Sequence, residues 1–108
     1  MQELSKRKIF ISYTTIDKEV NESLLLEVEK KLKKFGDIYI DLLHNDNHIE
    51  PQKKVINKLS ESDLLLVINS ENIKNSKWVH IELKIAKEKN IKTFYASIND
   101  ILKDNFNI

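Results

Sequence analysis

Four short apolar runs, Lys8 to Tyr13 (KIFISY), Asp37 to Leu42 (DIYIDL), Asp63 to Asn69 (DLLLVIN) and Ile91 to Ala96 (IKTFYA), alternate with segments whose apolar residues recur at helical spacing. Strands separated by helices cannot pair through hairpins, so this alternation builds a parallel sheet whose crossovers cover its faces. The expected architecture is a flavodoxin-like three-layer α/β fold: about four parallel strands in the order 2-1-3-4, helices on both faces. Between the first two runs, Val20, Leu24, Val28, Leu32 and Phe35 fall at intervals of four and three, which predicts a helix with Asp17 as N-cap and Gly36 as its C′ stop. Pro51 suits a first helical position, with Val55, Ile56 and Leu59 as the buried face behind it. Asn72 to Ser76 reads as polar loop, and Ser76 can cap a helix running from Lys77 to Lys89. The stretch from Asn99 to Ile108 is weakly patterned and compatible with a helix or a frayed end.

At 108 residues the chain is sized for one domain. Its expected core spans about 7–97, with 98–108 as a tail. Eighteen Lys and Arg against 17 Asp and Glu leave a formal charge of +1 with the signs interleaved, so there is no electrostatic footprint of a nucleic-acid binder. The lysine-rich run Lys30 to Lys34 reads as the solvated flank of the first helix. No cysteine is present, which excludes disulfides and thiolate metal sites and fits a reducing, cytoplasmic setting. The N-terminal segment leads straight into a core strand and does not read as a signal peptide, and no run approaches the ~20 apolar residues that span a bilayer. No membrane association is expected. With a single glycine there is no GxGxxG or GxxxxGK phosphate cradle. His44 and His48 stand four apart beside Asp46 and Glu50, but the Asn-rich, Pro-terminated setting is loop rather than the helix that would align them, so no metal is expected. His80 falls on a polar helix face.

One residue breaks the pattern. On a wheel of the Lys77 to Lys89 helix at about 100° per residue, Trp78, Val79, Ile81, Leu83, Ile85 and Ala86 form a continuous apolar arc with Glu82 in its middle. The opposite side already carries Lys77, His80, Lys84, Lys87 and Glu88. A carboxylate facing a core is costly unless it is paired, hydrogen-bonded or open to a cleft, which makes Glu82 the first candidate for chemistry. In an open parallel sheet, ligands sit beyond the carboxyl ends of the strands where the winding reverses; for order 2-1-3-4 that is between the first and third strands. The loops there are Ser12 to Asp17 and Asn69 to Ser76, with Asp41 to Glu50 beside them, all rich in hydroxyl, amide and acidic groups. Trp78, four residues before Glu82, shares its helix face and can wall the same pocket.

The ordered motifs FISY (Phe10 to Tyr13), YID (Tyr39 to Asp41), SDLLLVINS (Ser62 to Ser70) and SKWVHIEL (Ser76 to Leu83) resemble the Toll/interleukin-1 receptor (TIR) domain family in a compact bacterial form. Some TIR domains cleave NAD⁺, and the glutamate of a W-x-x-x-E motif is their catalytic residue; that motif maps onto Trp78 and Glu82. The resemblance implies Glu82 as catalytic residue and Ser12, Tyr13, Thr14, Asp41, Ser70 and Trp78 as substrate-binding candidates. NAD⁺ or a related nucleotide would be substrate rather than cofactor. The implied setting is bacterial stress or anti-phage signalling switched on by self-association or a partner protein. Two features depart from the family pattern. The loop Leu43 to Gln52 lacks the usual glycine, and the expected sheet has four strands rather than five, open to completion by a partner. A non-catalytic interaction module and a nucleoside deoxyribosyltransferase-like enzyme are the rival readings.

Overall fold

The structure, a computed structural model, describes residues 7–45 and 49–105. Four strands, β1 (Lys8–Ser12), β2 (Asp37–Tyr39), β3 (Leu64–Ile68) and β4 (Lys92–Ala96), form one parallel sheet in the order β2-β1-β3-β4. The helices are α1 (Glu22–Leu32), α2 (Asp41–His44), α3 (Pro51–Ser60), α4 (Lys77–Glu88) and α5 (Ile98–Leu102). The mixed α/β fold and strand order are those expected from the sequence.

The period-two direction of strand side chains sorts the core into two layers. Ile9, Ile11, Leu64, Leu66 and Ile68 point to one face and pack with Leu25, Val28 and Leu32 of α1 and Ile101 of α5. Phe10, Tyr39, Leu65 and Val67 point to the other, against Val55 and Leu59 of α3 and Val79 and Ala86 of α4. All five residues of β3 are buried, as a central strand covered on both sides requires. The sole glycine, Gly36, sits where the chain turns into β2; a Cβ there would lie 2.2 Å from the Arg7 carbonyl oxygen, so only glycine permits this close approach. Among the described residues no helix is long and apolar enough to cross a membrane.

Several local expectations are corrected. The first helix is capped by Asn21, whose side chain accepts the Leu24 N–H at 3.0 Å, because the Asp17 carboxylate is engaged elsewhere. The second strand stops at Tyr39, and Asp41–His44 coils into a helical turn as the His44 ring accepts the Ile40 N–H at 2.9 Å. Ile56 lies outside the buried face of α3, at 38% exposure. A short 3₁₀ turn, Ile73–Asn75, interrupts the expected loop. The core does not end at 97: Ser97 caps α5, and Ile101 is fully buried beneath α1.

Candidate functional site

The site forms where α4 brings an acid to the end of β1. Ser76 accepts the Val79 N–H and starts the helix, fixing its rotation so that Val79, Glu82 and Ala86 face inward. Glu82 is 5% exposed, and its Oε1 accepts a 2.5 Å hydrogen bond from Ser12 Oγ at the last position of β1, itself fully buried. Burial dominates the carboxyl's behaviour and pushes it up from the ordinary 4.5 to about 7; the Ser12 hydrogen bond pulls it down, and the Asp41 charge raises it. Glu82 therefore exchanges its proton around neutrality.

In front of it opens a cavity of about 300 Å³ lined by Tyr13, Thr14, Thr15, Asp41, Leu42, Ser76, Trp78 and Glu82. The Tyr13 hydroxyl accepts the Leu42 N–H at 2.9 Å, tying the loop after β1 to α2. Burial raises that phenol to about 12, against the lowering effect of the Leu42 bond and with smaller upward pushes from Asp41 and Glu82, so it stays a neutral donor. Asp41 Oδ1 accepts from Asn45 Nδ2 at 2.7 Å and from the Tyr39 hydroxyl at 3.2 Å. Trp78 is half-buried; it packs against the α3/α4 core layer and lines the cavity as well.

Of the substrate-binding candidates, Tyr13, Thr14, Asp41 and Trp78 thus meet Glu82 around one cavity. Ser12 stands behind Glu82 as its hydrogen-bond donor and does not line the opening. Ser70 lies beside Asp17 and is also absent from the lining. Thr15, Leu42 and Ser76 also line the cavity; the sequence places them in the loops around the site without singling them out as contacts. Ser76 was otherwise legible as a cap, and Leu42 as the end of a strand run, because α2 was not foreseen.

The loops are cross-linked. Asp17 in the loop after β1 is buried, and its two carboxylate oxygens accept the Asn72 N–H at 2.8 Å and Asn72 Nδ2 at 2.7 Å. Its carboxyl is held below the usual range by the neighbouring Ser70 hydroxyl and by both Asn72 bonds. Ser70 Oγ itself falls short of hydrogen-bond geometry, so the two Asn72 bonds are the firm ones.

The histidines are spent structurally. His44 Nδ1 accepts the Ile40 N–H, which leaves the proton on Nε2, 2.6 Å from Glu29 Oε2. His80 is exposed, with Nε2 2.6 Å from the Lys74 carbonyl. Asp46 and His48 lie outside the described residues, and among the described residues no group of three or more potential ligands gathers around a common point. A second cavity, of about 270 Å³, opens at the opposite ends of the strands between Lys8, Asp37, Tyr39, Lys54, Lys58 and Glu61. It contains no buried carboxylate.

No family model matches the chain, and no curated protein matches it.

Proposed function

We propose that this chain is a TIR-like NAD⁺ glycohydrolase or cyclase that cleaves the bond between nicotinamide and ribose, in the setting of bacterial stress or anti-phage signalling. The observation that carries the reading is Glu82: one acid, buried on an apolar helix face, hydrogen-bonded by Ser12, and opening onto a cavity walled by an indole and a phenol. In the proposed reaction the C1′–N bond breaks and its electron pair neutralises the pyridinium, releasing nicotinamide. The ribosyl carbon is left oxocarbenium-like until water, or a nucleophilic atom of the same molecule, adds and a proton is lost. An ionised Glu82 stabilises that charge and can accept hydrogen bonds from the ribose hydroxyls. Trp78 and Tyr13 offer aromatic surface to the departing ring.

The test is nicotinamide release from NAD⁺ by concentrated protein, run beside Glu82→Gln. Release that persists unchanged in the variant sinks the mechanism, and no release at any protein concentration favours a non-catalytic interaction module. Asp41, a second carboxylate on the same cavity, favours one further reading, base exchange on deoxynucleosides. There one carboxylate attacks the anomeric carbon while the other protonates the departing base; an incoming base, or water, then displaces the first carboxylate and gives its proton back to the second. Base release from deoxynucleosides without release from NAD⁺ would select it.

A further inference from the structure

The sheet ends differently on its two sides. β2 is three residues long, whereas β4 is a full five-residue edge pairing only with β3 among the described residues. Ala96 accepts the Asn69 N–H at 2.8 Å, so Ala96, Phe94 and Lys92 direct their main-chain groups toward β3. Main-chain groups alternate along a strand, and Thr93 and Tyr95 therefore direct N–H and C=O outward from the edge. Tyr95 is 60% exposed and belongs to neither core layer, while Phe94 is only half-buried against the α1/α5 layer. Among the described residues after α5, Asp104 meets Lys31 at 3.4 Å and Lys34 at 3.1 Å on the α1 side.

We propose that β4 pairs antiparallel with β4 of a second copy, with the two-fold axis at Phe94, joining two four-stranded sheets into one. The sequence of the edge selects this occupant. Centred on Phe94, the pairing sets Thr93 opposite Tyr95 of the other copy, the two residues whose main-chain groups face outward, and so makes four hydrogen bonds. Phe94 meets its own symmetry mate in the closer, non-hydrogen-bonded position, an aromatic pair at the centre. Lys92, the strand's sole charge, is set opposite Ala96, and the next charge along the second copy beyond that point is Asp100. No like charges oppose one another. A shift of the axis by one residue, to Thr93 or Tyr95, ends this match of side chains.

The pairing is independent of the chemistry at Glu82 and is read by mass in solution. Sedimentation of the wild-type chain should show a monomer–dimer equilibrium. Thr93→Pro removes an outward N–H and the long 3.4 Å bond from the Thr93 hydroxyl to the Ile91 carbonyl, leaves the β3–β4 ladder intact, and should weaken the dimer at least roughly tenfold through two lost intermolecular bonds. Its circular dichroism should be unchanged. Because the chain has no cysteine, Phe94→Cys offers a direct reading of the axis. Opposed Cα atoms in a non-hydrogen-bonded pair lie about 4.5 Å apart, within disulfide range, so this variant should cross-link to a dimer under mild oxidation while Lys92→Cys should not. A wild type that stays monomeric at the highest concentration reached overturns the proposal. So does a dimer that Thr93→Pro leaves intact, or equal cross-linking at both cysteine positions.

Discussion

α1 and α4 are near twins that spend their inner faces differently. Both are amphipathic, of 11 and 12 residues, and both begin at a side chain accepting the N–H three positions on, Asn21 to Leu24 and Ser76 to Val79. The inner face of α1 is Leu25, Val28 and Leu32, all fully buried. The inner face of α4 is Val79, Glu82 and Ala86. α1 therefore maximises apolar contact, while α4 gives up a leucine-sized position to hold a carboxyl that burial makes uncomfortable. A residue that stabilises neither its helix nor its core is where function at the expense of stability is expected.

The comparison breaks if the two faces respond alike to substitution. The largest contrast is expected in activity: Glu82→Gln should lower nicotinamide release by roughly a hundredfold or more, on the scale of losing one electrostatic stabiliser. Leu25→Ala should leave turnover per folded molecule unchanged while costing about 2–5 kcal/mol in denaturant unfolding.

Stability then sharpens the contrast. The folded chain holds the Glu82 proton to about pH 7 and the unfolded chain releases it near 4.5, so the folded state binds the extra proton between those values. Stability falls as pH rises through that window and levels off above it. Glu82→Gln, which keeps an acceptor for Ser12 but never ionises, should match wild type below about pH 4 and exceed it by about 3 kcal/mol at pH 8. In the proposed reaction activity should run the other way in wild type, rising through about pH 7 as the carboxyl ionises.

Ser12→Ala gives a smaller, diagnostic effect. Its hydroxyl lowers the Glu82 pKa, so removing it should move the rising limb to higher pH, with a greater loss of activity on the acid side than at pH 9. Smallest of all, Asn21→Ala and Ser76→Ala should each cost about 1 kcal/mol, as equivalent caps. Only the second borders the cavity, so only it should change KM.

Much of this was legible in sequence wherever the deciding contacts were local or periodic. The four strands, the Ser76 cap and the isolation of Glu82 follow from spacing, as does the inward side of α4 except Ile81, which the apolar arc included but which is 42% exposed. What escaped was decided by partners far along the chain. Asp17 has the composition of an N-cap, yet its carboxylate goes to Asn72, 55 residues away, and Asn21 takes the cap. The alternation DIYIDL reads as strand to its end, but Tyr13 and His44 capture main-chain N–H groups of Leu42 and Ile40 and curl the segment into α2. That turn carries Asp41 and Leu42 into the cavity. Ser12, a substrate-binding candidate through the family resemblance, donates to Glu82, a pairing across 70 residues that no local pattern encodes. Ile101 looked like tail because five helical residues are too few to show a period.

The cross-links among the loops bear on how quickly a ligand is captured. With Asp17 fastened to Asn72 and Tyr13 to Leu42, the walls of the cavity stand in place before anything enters. With these described loops already cross-linked, capture should be a single bimolecular event. The only tryptophan in the chain, Trp78, stands in that wall and can report it: its fluorescence after rapid mixing should relax in one exponential whose rate climbs linearly with ligand concentration, without a plateau.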